Sequence, residues 1–392
     1  MHNFVFHNPA KVLFGRGTVA SIGTETLIWG KRALLVHGQR SIKASGLYDQ
    51  VMAALDLAGI EVVEFGGVQP NPLLSHVRQG VQLAKTKQVE VIVAVGGGSV
   101  MDTGKAIAAG AVVEHDVWKF FTGKKGIKQP LPVICVATLA ASGSEMNSGM
   151  VITNDQTLEK FGFGHRLLYP KTSILDPELT FSVPPDLTAY GAVDVFSHVL
   201  EFYLTARDTD TPVQARLMEG LMENAMISCE RCLVHPSDYN ARADLMWTAT
   251  LALSGFPAAG LGRVEMPVHL IAHSLGALYN LPHGMALASL IPGWLRYHSA
   301  QYHSRLCQLG SRLLPGQFAQ DSASAADMAI SWLIQWLRRL QVPTSLGELG
   351  IDASAIPQIA SNSQGLARLW RLRDATLETV AAILKHCMEP AS

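Results

Sequence analysis

The apolar positions of the chain fall into two regimes. Over residues 1–181 they gather in short continuous runs rich in Val and Ile: Ala33–Val36, Val62–Phe65, Val89–Val95, Pro132–Thr138 and Ser173–Leu175. Continuous runs of this length, bounded by turn residues, predict strands covered on both faces. Leu47–Ala58 and Leu74–Thr86 carry helical periodicity between them. Strands alternating with helices predict βαβ units and a mostly parallel sheet with helices on both faces. Phe4–Phe6 and Lys11–Phe14 flank His7-Asn8-Pro9-Ala10 and predict a short antiparallel pair ahead of the sheet. Past Ser182-Val-Pro-Pro-Asp186 the strand-like runs vanish, and helical spacing takes over in Leu187–Tyr203, Pro212–Ile227, Arg242–Ser254, Val268–Tyr279 and Ala325–Leu340. The expectation is an α/β domain over residues 1–181 and an all-helical domain over residues 182–392.

Composition narrows the class. The 392 residues are 48% hydrophobic and 16% charged, the profile of a well-packed globular chain. A formal net charge of −1 offers no basic field for nucleic acid or anionic lipid. No apolar run reaches membrane-spanning length, and no charged segment followed by an apolar core opens the chain. Five cysteines, an odd number without a framework, fit a reducing compartment, so a cytoplasmic location is expected. Cys229-Glu-Arg-Cys232 has redox-type spacing but lies in a helix-like run with no preceding strand, and is read as structural.

Two turns point to phosphate. Val89–Val95 runs into Gly96-Gly97-Gly98-Ser99 and then into a helix-like run, Val100–Val113, with Asp102 in its first turn. Strand, glycine turn and helix start together make an anion site, because glycine lets backbone approach and the leading amides are free. Neither the Gly-x-Gly-x-x-Gly nor the phosphate-loop pattern is met. After the next strand comes Thr138-Leu-Ala-Ala-Ser142-Gly143-Ser144-Glu145, a hydroxyl-rich turn where open α/β sheets bind ligands. The first such turn, Gly38-Gln39-Arg40-Ser41, holds no acid to bind a ribose 2′-hydroxyl. Arg40, Ser41 and Lys43 could instead hold a 2′-phosphate, which favours NADP over NAD.

Histidines point to a metal. His269 and His273 stand four apart behind Pro267, on one face of the expected helix, and Leu281-Pro282-His283-Gly284 returns a third imidazole from a turn. Asp194 and His198 share a face of another helix, so up to five ligands are available. One carboxylate with imidazoles suits Fe(II) or Zn(II). The remaining histidines, His37 and His76 among them, are scattered and read as surface or incidental.

With these motifs in order, the chain resembles the iron-containing, group III alcohol dehydrogenases over essentially its whole length. Val12-Leu-Phe-Gly-Arg-Gly, Gln69-Pro-Asn71-Pro, Gly96–Asp102, Thr138–Glu145, Asp194–His198 and His269–Gly284 carry the likeness. The turn after His37, Asp238-Tyr-Asn-Ala-Arg-Ala and Met246-Trp247 are most similar to the NADP-dependent aldehyde reductase and butanol dehydrogenase-like branch. The resemblance implies a homodimer of α/β and all-helical domains with the active site in the cleft between them. It implies hydride transfer between NADP(H), or NAD(H), and a primary alcohol or aldehyde. By the same resemblance Asp194, His198, His269 and His283 would hold the metal, and His273 would lie beside it without ligating; the acid–base chemistry of imidazole makes His273 the candidate proton relay. Gly97, Gly98, Ser99 and Asp102 would meet the pyrophosphate, Thr138 and Ser142 further parts of the cofactor, Lys160 and Leu179 the nicotinamide ribose, and Asn71 the cofactor side more loosely. A glycerol-type dehydrogenase and a dehydroquinate synthase-like lyase share the plan, but the His269–Gly284 block weighs against both. A metal-binding sensor or hydrolase leaves the two phosphate turns without a purpose.

Overall fold

The computed structural model describes residues 1–207, 210–314 and 325–390. Six parallel strands form one sheet in the order β1-β8-β5-β4-β2-β3: β1 (Lys11–Phe14), β2 (Arg32–Gly38), β3 (Glu61–Val68), β4 (Val91–Gly96), β5 (Val133–Ala137) and β8 (Thr172–Leu175). Every residue of β4 and β5 is buried, as expected of strands covered on both faces. Val19, Ile22, Leu35, Val51, Leu55, Val93 and Val136 belong to the core on one face, packed with α1 (Ile22–Leu27) and α3 (Leu47–Leu57). The short α2 (Ser41–Ala44) follows β2. On the other face lie α4 (Leu74–Thr86) and α5 (Gly98–Gly110), and α6 (Trp118–Phe121) follows. The α5 backbone sits so close to β4 that a side chain at Gly104 would meet Ala94 Cβ at 3.1 Å. The connections onward from β2 and β4, neighbours in the sheet, run to opposite sides, which makes their carboxyl ends the topological switch point.

Two expectations change here. Lys11–Phe14 enters the sheet parallel to β8, and Phe4–Phe6 is in no strand, so the antiparallel pair does not form. An unforeseen antiparallel hairpin, β6 (Gly149–Asn154) and β7 (Glu159–Gly164), stands outside the main sheet.

The helical part comprises α7 (Pro185–Thr205), α8 (Pro212–Val234), α10 (Pro267–Tyr279), α11 (His283–Tyr297), α12 (His303–Leu313), α13 (Ala325–Arg339), α14 (Ile356–Trp370) and α15 (Leu377–His386). One helix of the carboxyl-terminal half, α9 (Tyr239–Ala252), belongs elsewhere. Residues His7–Val183 and His235–Ser254 make one compact unit, and Met1–Phe6, Pro184–Val234 and Gly255–Ser392 make the other. The division therefore departs from a single boundary at 181/182. Burial dictates the exchange. Thr250 Oγ1 lies 2.6 Å from the buried Glu145 Oε1, and Trp247 packs edge-on against Phe14. Conversely, the His2 amide donates to the Gly260 carbonyl at 2.9 Å, and Phe6 meets Phe256. Among the described residues no helix is long and apolar enough to cross a membrane.

Candidate active site

In the sheet unit, the glycine turn follows β4 as expected, but the helix begins earlier, at Gly98. Gly97 caps it in an extended conformation, and Gly98 and Ser99 fall in the first turn, where amides have no partner inside the helix. Val95 and Val136 stand side by side in the sheet, and the Thr138 amide donates to the Gly96 carbonyl at 3.1 Å. The glycine turn and the hydroxyl-rich turn therefore lie against each other. A Cβ at Gly98 would sit 2.3 Å from Ser142 Oγ, so this position takes no larger residue unless the second turn moves.

Asp102 faces the second turn. One of its oxygens accepts from Ser144 Oγ at 2.7 Å, the other from the Val151 amide at 2.9 Å. Next to it lies Lys105, fully buried. Its Nζ reaches the carbonyls of Ser144 (2.7 Å), Asn147 (2.9 Å) and Gly149 (2.8 Å), with Ser144 Oγ at 2.9 Å. Burial pushes Lys105 below its ordinary pKa and Asp102 above its own, while each charge opposes the other's shift. Asp102, expected beside the pyrophosphate, thus also anchors the loop that carries Ser142. The buried Lys160 donates from Nζ to Asn71 Oδ1 at 2.6 Å, which joins two expected cofactor-side residues. Leu179, in the turn Pro177–Thr180, packs against the sheet core.

The first turn differs from expectation. His37 is buried, not incidental, and sits at an irregularity in the β2–β3 pairing. Its ring lies 2.7 Å from the Gly38 carbonyl and 2.9 Å from Glu64 Oε1. Glu64, on the neighbouring strand, also accepts from Lys43 Nζ at 2.6 Å and Tyr48 Oη at 3.0 Å. Hydrogen bonds from Lys43 and then His37 hold its carboxyl down at about 2. Lys43 is therefore engaged by a carboxylate, whereas Arg40 and Ser41 stand exposed beside Gly38.

In the helical unit, α7 and α10 are apolar nearly all round and bury their polar exceptions together. His198 Nδ1, His269 Nε2 and His283 Nε2 approach one atom, Asp194 Oδ1, at 3.5, 3.6 and 3.7 Å. Asp194, His198 and His269 are buried, and their candidate ligand atoms lie within 4.8 Å of one another. Among the described residues Asp194 Oδ1, His198 Nδ1 and His269 Nε2 have no hydrogen-bond partner. Such atoms are costly to bury unless a cation satisfies them. Nitrogen and oxygen ligands at about 2.1 Å around a tetrahedral ion stand about 3.4 Å apart, close to the spacings found. The residues fit a divalent metal. Burial alone would raise the Asp194 carboxyl, but His198, His283 and His269 hold it below the carboxylate range. Burial lowers His198 to about 4. His269 rises to about 9, since Glu201 and Asp194 outweigh its burial.

His283 is not in a turn. It opens α11, behind a left-handed Asn280 and Pro282 at the cap. The following Gly284 lets α11 press on α7, since a Cβ there would meet the Tyr190 carbonyl oxygen at 2.1 Å. The His273 ring is 5.6 Å from that of His283 and 5.4 Å from Trp370, centroid to centroid, and is inclined by 64° to the indole. Two residues near this centre had no assigned role. Glu201, hydrogen-bonded to His269 Nδ1, lies seven residues after Asp194 on the same face of α7, a spacing visible in the sequence. Trp370 gave no such signal.

Known proteins match this chain over nearly its whole length. Residues 9–177 match the family model described as iron-containing alcohol dehydrogenase, and residues 188–388 match its C-terminal counterpart. A probable NADH-dependent butanol dehydrogenase 1 of Bacillus subtilis is 40% identical, over 98% of this chain and 99% of its own. The NADPH-dependent aldehyde reductase YqhD of Escherichia coli is 35% identical, over 96% and 97%. The crystal structure of NADH-dependent butanol dehydrogenase A from Thermotoga maritima superposes with a TM-score of 0.93 at 39% identity, covering 99% of each chain. With the parallel sheet, the helical unit and the clustered aspartate and histidines in their expected order, the chain belongs to the iron-containing alcohol dehydrogenase family.

Proposed function

We propose that the protein is a metal-dependent alcohol dehydrogenase working mainly as an aldehyde reductase, with NADP(H) preferred over NAD(H). The observation that carries the reading is the convergence of three imidazole nitrogens on the buried Asp194 Oδ1. Asp194, His198, His269 and His283 would hold Fe(II) or Zn(II). Such an ion, when bound, supplies Lewis acidity that polarises a carbonyl or lowers the pKa of an alcohol. The protein's part is to bind and orient. Gly97, Gly98 and Ser99 offer amides to a pyrophosphate, the Thr138 amide bonds the Gly96 carbonyl beside them, and the Lys105–Asp102 anchor grips the same loop further on at Ser144. His273, whose ring lies beside that of His283, is assigned to pass the proton to the substrate oxygen during reduction.

The cofactor preference rests on Arg40 and Ser41, exposed next to Gly38 with no acid in their turn. Relatives bearing both NADH-dependent and NADPH-dependent names are similar to this chain. A cytoplasmic homodimer fits the five free, buried cysteines and the family plan, and light scattering would test the assembly.

The test is an initial-rate comparison of NADPH and NADH over a panel of short aldehydes, on protein assayed for iron and zinc. Turnover should follow metal content, and NADPH should be the faster reductant. Asp194→Ala should lose metal and turnover together. Full activity in that variant without bound metal would sink the mechanism, and a many-fold advantage for NADH would sink the cofactor preference.

A further inference from the structure

We infer that Glu201 is a positioning residue of the metal centre: it fixes His269 in the one tautomer whose Nε2 can face a cation. The inference rests on the metal reading given above. Glu201 is 1% exposed and belongs to the α7 stripe that also presents Asp194 and His198, at spacings of seven and three residues. Its Oε1 accepts from the Val268 amide at 2.6 Å, and its Oε2 is hydrogen-bonded to His269 Nδ1. With both carboxylate oxygens placed as acceptors, one for the Val268 amide and one for the ring, Nδ1 is the ring nitrogen that donates. Nε2, the other ring nitrogen, points at Asp194 Oδ1 from 3.6 Å. A ring nitrogen ligates through its lone pair, and the bond made by its partner nitrogen decides which of the two has one.

The same carboxylate sets where the ring stands. Val268 and His269 lie in the first turn of α10, behind Pro267, where backbone amides have no partner in the helix. Glu201 takes one of those amides. One turn further along α7, Thr205 Oγ1 donates to the Glu265 carbonyl at 3.0 Å and accepts from the Glu265 amide at 2.9 Å. The end of α7 thereby fixes the start of α10, and one helix that supplies two metal ligands also positions the third.

Glu201→Gln discriminates this role from plain packing. The amide fills the same volume but cannot serve both partners. If its oxygen faces His269, its NH2 confronts the Val268 N–H. If its NH2 faces His269, it donates to Nδ1 and moves the ring proton to Nε2. The protein should therefore lose about 10- to 100-fold in Zn(II) affinity, measured by competition with a chromogenic chelator, while the metal-free form keeps the wild-type helical circular-dichroism spectrum and a cooperative melt. A second measurement uses the wild type alone. Zinc-loaded protein should show a downfield, exchange-protected imidazole N–H proton assignable to His269 Nδ1. Zinc binding by Glu201→Gln as tight as by the wild type, or a loaded His269 without that proton, would overturn the inference. In either case a wild type that still binds zinc stoichiometrically leaves the metal reading standing; a wild type that takes up none overturns both.

Discussion

Lys105 holds an ammonium where water does not reach, and its cost is met by the carbonyls of Ser144, Asn147 and Gly149. The exchange works in both directions, because those carbonyls would otherwise be buried acceptors without a donor. Lys105→Met should therefore lower stability by about 3 kcal/mol or more, read by urea titration, and weaken NAD(P)H binding as the Ser142 turn loosens. Unchanged cofactor affinity would mean the anchor does not shape the turn. Glu64 behaves differently because its side chain is 41% exposed. Its folded pKa lies below the ordinary 4.5, at about 2, so it stabilises the fold above 4.5 and loses that effect as pH falls toward 2. The gap in urea midpoint between wild type and Glu64→Gln should be present at neutral pH and shrink below 4.5; a gap that widens on acidification contradicts the assignment.

At the scale of elements, the α11–α7 contact is a backbone approach. A methyl at Gly284 would collide with a carbonyl oxygen of α7, so relief requires the first turn of α11 to move, and His283 moves with it. Gly284→Ala should cost about 1–3 kcal/mol and reduce metal retention, measured by melting and by metal assay after dialysis. The elements themselves were largely legible in the sequence. Continuous apolar runs marked the other five strands of the main sheet, although β3, at its edge, is largely uncovered, and i, i+4 spacing marked Asp194 with His198. The β6–β7 hairpin escaped because it packs outside the main sheet, where Lys160 and Gly162 interrupt the apolar pattern. The His37–Glu64 contact joins residues 27 apart through strand register, which no local pattern encodes. The allegiance of α9 was equally hidden. Its sequence states that it is a helix with buried Leu245, Met246 and Ala249, but not which core receives them.

For the whole molecule, a ligand that binds only the folded state adds stability through mass action. Metal at a hundredfold excess over its Kd should add about 2.7 kcal/mol to the unit that carries Asp194, His198, His269 and His283. Calorimetry of chelator-stripped and reloaded protein should show a melting transition that climbs with free metal, and Asp194→Ala should show none of that climb. A chain that divides into two units need not melt in one step, so the comparison is made transition by transition.

The excursion of α9 also bears on the order in which a ribosome can finish this protein. The sheet unit has all its strands once Leu175 has been made, yet the Thr250 hydroxyl beside Glu145 and the indole against Phe14 are still to come. They arrive only after Pro184–Val234, a stretch of the other unit, has been synthesised. Met1–Phe6, made before all of these, waits longer still for Phe256 and Gly260. Nascent chains of this length usually fold from the amino end, unit by unit. Here neither unit is a continuous segment that could be released early, expressed alone or exchanged with a relative by a single cut. A freestanding sheet unit would need His235–Ser254 spliced directly behind Val183, and a fragment that simply stopped at residue 183 would carry an uncovered Glu145 into solution.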